Sequence, residues 1–123
     1  MTKPLTGETA MTLEIPALPP TVNNYKGRNG HREFLTDKAL AFNGLVDSVV
    51  MRRKLNSERF EVGIALYFKD RRRCDIDNRV KPLLDAIVRA GLIPDDSQID
   101  SIIVTREHDV KERTTLYVRG TYK

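Results

Sequence analysis

Phe60-Glu61-Val62-Gly63-Ile64-Ala65-Leu66-Tyr67-Phe68 places a large apolar side chain at every second position. Successive side chains of an extended chain point to opposite faces, so this is a strand with one clearly apolar side that needs a covering layer. Two segments can supply it. Upstream, Thr36 or Asp37 is placed to cap a helix running to about Leu55, with Leu40, Phe42, Leu45, Val46, Val49 and Val50 at helical spacing. Downstream, Asp77 or Asn78 caps a second helix whose stripe is Val80, Leu83, Leu84, Ile87 and Val88, with Gly91 at its end. Pro82 conflicts with a cap at Asp77, which sets it one residue too deep. The helix either starts nearer Asn78 or bends at that turn.

Further out, Leu13-Glu14-Ile15 begins a first strand, stopped by Pro16 and then Pro19-Pro20. Residues 21–32 are polar and contain Gly27 and Gly30, which reads as a loop. Ile99 to Glu107 and Thr114 to Thr121 read as two strands joined as a hairpin by a turn around Asp109 to Glu112. The order β-α-β-α-β-β predicts an α/β (α+β) domain, a small mixed sheet covered by two helices, over residues 10–123. A flexible polar tail, residues 1–9, precedes it.

A chain of 123 residues is the size of one ordinary domain with one core. Its 40% hydrophobic and 31% charged residues are a globular composition, and the formal charge of +4 favours nucleic acid modestly. Clustering says more than the sum: Lys69 to Lys81 holds six basic residues against three acids. Cys74 is the sole cysteine, which excludes an intrachain disulfide and a Cys-based zinc site. His31 and His108 are too few and too far apart for a zinc motif. Neither a signal-peptide core at the start nor an apolar run of membrane-spanning length is present, so a soluble cytoplasmic protein without a membrane partner is expected.

The chemistry concentrates after the apolar strand. Asp75-Ile76-Asp77 follows Arg71-Arg72-Arg73, Lys81 comes four residues later, and Asp95-Asp96 lies beyond Gly91. Two acids separated by one residue point the same way in an extended chain and repel each other. A hard cation offsets that repulsion, and Mg²⁺ prefers carboxylate oxygens shared with a substrate phosphate. Such an ion polarises a phosphoryl oxygen and supplies hydroxide near neutral pH, so the pattern points to metal-dependent phosphodiester chemistry. Bland roles exist beside this one. Asp77 can be a helix cap, Lys81 can form an i,i+4 ion pair with Asp77, and the arginines can be a solvated loop. After Ile93-Pro94, Asp95-Asp96 reads by itself as a turn. A following strand parallel to Phe60–Phe68 would set it far from Asp75; an antiparallel strand or a loop folding back would bring the acids together. Residue patterning leaves both open.

The block Asp70-Arg71-Arg72-Arg73-Cys74-Asp75-Ile76-Asp77-Asn78, followed by Lys81, Leu84-Asp85-Ala86, Gly91 and Asp95-Asp96, resembles the RusA-type Holliday junction resolvases. That family carries a D-x-D-N element, then a lysine, then a D-D pair. Pro19-Pro20 with Asn23-Asn24 is similar to its Pro-Pro-Ser-x-Asn segment, with one extra residue here. Cys74 stands where the prototype's basic run continues. The resemblance covers most of residues 12–120. It implies Asp75, Asp77 and Asp96 as metal-binding and catalytic carboxylates that meet in the fold, Lys81 as the catalytic lysine, and Mg²⁺ as cofactor. It also implies a homodimer that makes paired nicks in four-way junction DNA. The basic residues expected to hold that DNA are Arg71, Arg72, Arg73 and Lys69 next to the acids, and Lys26, Arg28 and Arg32 with Asn24 in the 21–32 loop. The alternatives of other classes are a non-catalytic basic DNA-binding module and a metal-dependent nuclease acting on RNA or on duplex ends.

Overall fold

The alternation from Phe60 to Phe68 folds as expected, into the central strand of the molecule. A computed structural model describes residues 10–70 and 75–121; the 1–9 tail and the Arg71–Cys74 run lie outside the described residues. The strands are β1 (Ala10–Ile15), β2 (Lys26–Asn29), β3 (Arg32–Leu35), β4 (Arg59–Phe68), β5 (Ile99–His108) and β6 (Arg113–Thr121). The helices are α1 (Asp37–Val50) and α2 (Val80–Arg89). Four strands form a mixed sheet in the order β1-β6-β4-β5, and β2 pairs only with β3. This is the α+β arrangement expected from the order of elements, with one hairpin more.

β4 buries Phe60, Val62, Ile64, Leu66 and Phe68, together with Leu13 and Ile15 of β1 and Leu116 and Val118 of β6. The helices contribute Phe42, Val46 and Val50 from α1 and Leu83, Leu84 and Ile87 from α2 to the same cluster. Leu40, expected on that stripe, is 54% exposed; Ala39 and Asn43 occupy the inward positions instead.

Ile99–His108 and Arg113–Thr121 do not form the expected hairpin. β5 pairs with β4 in parallel, whereas β6 pairs antiparallel with both β4 and β1. The strand with the most apolar face takes the centre, where both of its edges are satisfied. The β5–β6 connection therefore crosses the end of β4, and the Asp109 N–H donates to the Phe68 carbonyl at 3.1 Å.

The 21–32 segment is not a loop throughout. A 3₁₀ turn (Val22–Asn24) leads into the β2–β3 hairpin. Gly30 at φ +66° gives the left-handed residue that its two-residue turn requires.

Both helices end for local reasons. Thr36 caps α1, its hydroxyl accepting from the Ala39 N–H at 3.2 Å. The helix stops at Val50 rather than near Leu55 because Met51 and Arg52 both take left-handed φ, 54° and 60°. Arg53 then donates to the carbonyls of Val50 and Val49 at 2.9 and 2.7 Å, satisfying groups the helix end leaves open. Neither Asp77 nor Asn78 caps α2. Residues 77–79 form a 3₁₀ turn, Arg79 holds the cap position, and no side chain makes a cap bond. Pro82 thus falls in the first turn of α2, where its missing N–H would have had no intrahelical partner. At the other end Gly91 (φ +87°) donates to Val88 at 3.0 Å, and Leu92 donates to Ile87 at 3.0 Å. This is a Schellman closure sealed by two buried apolar side chains.

Candidate active site

Lys81 lies on the first turn of α2, and its ammonium sits between two carboxylates. Nζ is 3.1 Å from Asp85 Oδ1 and 3.5 Å from Asp96 Oδ2. Asp85 is one helical turn further along α2, on the same face. Asp96 opens the 3₁₀ turn (Asp96–Gln98) that leads into β5. A third group closes the network: the Tyr25 hydroxyl donates to Asp85 Oδ2 at 2.7 Å. Tyr25 is buried at the entrance to the β2–β3 hairpin, so the hairpin is tied to the face of α2 that carries the lysine. These four residues, with Val88, Arg89 and Asp95, line an open cleft of about 400 Å³.

The hydrogen bond Lys81 donates to Asp85, then the Asp85 charge, raises the Lys81 pKa, with Asp96 adding to the effect. Lys81 therefore stays an ammonium at neutral pH. Its side chain is 60% exposed, so the group remains available to a substrate. Burial and the bond to Asp85 raise the Tyr25 phenol far above its ordinary value, which keeps it a hydrogen-bond donor.

Asp95 and Asp96 divide the two roles considered for them. Asp95 belongs to the turn, accepting from the Ser97 hydroxyl and, through its carbonyl, from the Gln98 N–H at 3.1 Å. Asp96 reaches across to α2. β5 is parallel to β4, yet the loop after α2 folds back far enough for that contact. The Lys81 ion pairs are with Asp85 and Asp96, not with Asp77, because Asp77 precedes the helix in the 3₁₀ turn and does not share its face.

Asp75 and Asp77 are both exposed, and neither carboxylate has a hydrogen bond or ion pair among the described residues. Among the described residues no three His, Cys, Asp or Glu side chains converge into a set that could hold a metal ion. Asp75, Asp77 and Asp96 are thus not gathered into one cage in this arrangement. As a donor set they suit Mg²⁺: all are hard carboxylate oxygens, two of them unengaged and the third shared only with an exposed lysine. The adjoining Asn78 also has a buried Oδ1 with no hydrogen-bond partner among the described residues.

The basic residues separate into two regions. Lys26 and Arg28 lie on β2 and Arg32 on β3, all exposed, with exposed Asn24 in the preceding turn. Glu33 neutralises two of them, Arg28 at 3.2 Å and Lys26 at 4.0 Å. Lys69 is exposed at the end of β4 and anchored through its backbone N–H to Glu112 at 3.3 Å. Arg71, Arg72 and Arg73 lie outside the described residues. The roles of Tyr25 and Asp85 were missed from sequence. The spacing of Lys81 and Asp85 was the one available signal for the latter; nothing local pointed from Tyr25 to a residue sixty positions away.

A solvent-open lysine held by carboxylates, with exposed acids just upstream and a basic hairpin tied to the same helix through the Tyr25 hydroxyl, suits phosphodiester cleavage. The chain belongs to the endodeoxyribonuclease RusA family, whose family model matches residues 16–119. It is 34% identical over 91 residues to the crossover junction endodeoxyribonuclease rusA of Enterobacteria phage HK97, an alignment covering 72% of this chain and 76% of that protein. It is 30% identical over 84 residues to the crossover junction endodeoxyribonuclease RusA of Escherichia coli strain K12, covering 66% and 70%. The rusA protein of Enterobacteria phage 82 matches to the same extent. Among the described residues no helix is long and apolar enough to cross a membrane.

Proposed function

We propose that this endodeoxyribonuclease resolves four-way DNA junctions by paired symmetric nicks, acting as an Mg²⁺-dependent homodimer in the cytoplasm during recombination and repair. The observation that carries the reading is the Lys81 ammonium, held by Asp85 and Asp96 in an open cleft beside a basic hairpin. Family membership supports the substrate class, since the related proteins of phage HK97 and E. coli are named for crossover junctions. Two symmetric cuts call for two equivalent sites, which a two-fold dimer provides.

Asp75, Asp77 and Asp96 are the residues that would hold Mg²⁺. When bound, the ion supplies Lewis-acid polarisation of the scissile phosphoryl group and makes water acidic enough to yield the attacking nucleophile. The chain's own part is electrostatic. Lys81, protonated at neutral pH, places positive charge where negative charge develops on the phosphate, and Asp85 with Tyr25 holds it there. Lys69 and the hairpin cations contact the phosphate backbone and set the DNA in register.

Asp75→Asn tests this. The variant keeps or improves junction binding, because a negative charge near phosphate is gone, but loses cleavage. Cutting at the wild-type rate would remove Asp75 from the site. Binding without any cutting by the wild-type protein would favour a non-catalytic DNA-binding module.

A further inference from the structure

Phe34 stands on the basic hairpin with 51% of its surface open. It pairs across the strands with Gly27, and its ring leans over that glycine. A Cβ at position 27 would lie 2.5 Å from Phe34 Cζ and 2.6 Å from Cε2, so only glycine leaves the space in which the ring lies across the hairpin. One side of the ring rests on β2 and the other meets solvent. The two faces of the hairpin differ in charge. Cross-strand partners and residues two apart share a face. Lys26, Arg28 and Leu35 therefore lie with Glu33 on one side, where Glu33 pairs with both cations. Asn29, Arg32 and Phe34 lie with Gly27 on the other side, which carries no acid. Arg32 is exposed and has no ion pair or hydrogen bond among the described residues. An aromatic ring with an open face, beside a guanidinium that no carboxylate holds, is complementary to a nucleobase and its phosphate.

We propose that Phe34 stacks on a base exposed at the branch point of the junction, and so makes the enzyme prefer a junction to a duplex. The inference rests on the junction reading above and adds the residue that selects the structure. Bases inside a duplex are covered on both faces by their neighbours. A protein ring reaches them only by unstacking, at a cost that is least where pairing is already broken. A four-way branch point interrupts the stack, and there an exposed ring finds a partner. The position of the ring suits this. Tyr25, whose hydroxyl donates to Asp85 at 2.7 Å, stands two residues before Gly27, so at most ~7 Å of chain separates them. The tether that holds the hairpin against the Lys81 face thus holds the Phe34 ring close to it, and Arg32 beside the ring takes a phosphate of the same strand. Lys26 and Arg28, on the other face, suit any duplex arm. The Phe34 face suits only DNA that offers an open base.

Competition binding in EDTA, between a synthetic four-way junction and a matched duplex, tests the role of the ring. Phe34→Leu keeps an apolar side chain over Gly27 but has no ring to stack. It lowers junction affinity by about tenfold, the scale of one lost base–aromatic contact, and leaves duplex affinity unchanged. Phe34→Trp restores the preference. In the wild-type protein, 5-iodouracil at the branch point photocross-links to Phe34, and the same base in the middle of an arm does not. A Phe34→Leu protein that keeps the wild-type preference overturns the inference. So does one that loses junction and duplex affinity equally, since Phe34 then only packs the hairpin. Cross-linking decides the question without a variant: a branch-point label that does not react with Phe34 overturns the stacking contact and leaves the junction reading standing. A wild-type protein with no binding preference for the junction also overturns it, and if cleavage shows none either, the junction reading falls with it.

Discussion

Lys81 is the residue on which the account turns, and its surroundings define what it can do. The hydrogen bond it donates to Asp85 raises its pKa above the ordinary lysine value. A raised folded-state pKa favours the ammonium, so any stability it confers is fully present below the unfolded value near ~10.4 and is lost only as pH rises through the higher folded value. Nothing titrates at Lys81 under neutral conditions, and a role as general base is excluded there. The cleavage rate should accordingly show no falling limb from Lys81 below about pH 9; a limb in that range that disappears in Lys81→Arg would contradict this. Lys81→Ala should slow single-turnover cleavage by roughly 10²–10³-fold, the scale for one lost electrostatic donor, with little change in junction affinity. An affinity loss as large as the rate loss would make Lys81 a plain DNA contact. Tyr25→Phe leaves Asp85 without its second partner. It should cost about 1 kcal/mol in urea unfolding and slow cleavage while junction affinity holds. Unchanged kinetics would confine Tyr25 to a structural role.

At the scale of elements, the β2–β3 hairpin is the main departure from what the sequence suggested. β2 carries no apolar side chain, and β3 only Leu35 and the 51% exposed Phe34, so no buried alternating stripe marks them, and Gly30 signals the turn. The hairpin packs through Tyr25 rather than through a stripe. Its charge is partly spent internally, because Glu33 holds Arg28 and Lys26. Glu33→Gln should therefore tighten DNA binding and steepen its salt dependence, by up to ~0.9 in slope for each cation freed to meet a phosphate. A filter-binding salt titration that shows neither change would place the hairpin away from DNA. β4, both helices and the Gly91 closure were legible because each carries a periodic apolar stripe or a specific turn residue. The early end of α1 was not, because Met51 and Arg52 are neither glycine nor proline and enter left-handed φ without a sequence mark. The β5–β6 hairpin was misread because nearness in sequence suggested pairing. A sheet must place its most apolar strand in the middle, and β4 takes the place between them. The same long-range ordering explains the acids. Local spacing marked Asp75, Asp77, Lys81 and Asp96, but only the folded loop after α2 shows Asp96 meeting the lysine.

For the whole molecule, one modest core supports a chemically crowded rim. A chain with a formal charge of +4 is only mildly basic, so under the proposed function DNA affinity depends on where the cations sit: the hairpin, Lys69 and, next to Asp75 in sequence, Arg71, Arg72 and Arg73. The central claim is that this rim cuts four-way junctions with the help of a divalent cation. The direct measurement is strand cleavage of a synthetic four-way junction and of a matched duplex, each with Mg²⁺ and with EDTA, resolved on a denaturing gel. The account predicts symmetric paired nicks in the junction with Mg²⁺, none with EDTA, and an intact duplex throughout. Equal cutting of the duplex, or junction cutting undiminished by EDTA, would contradict it.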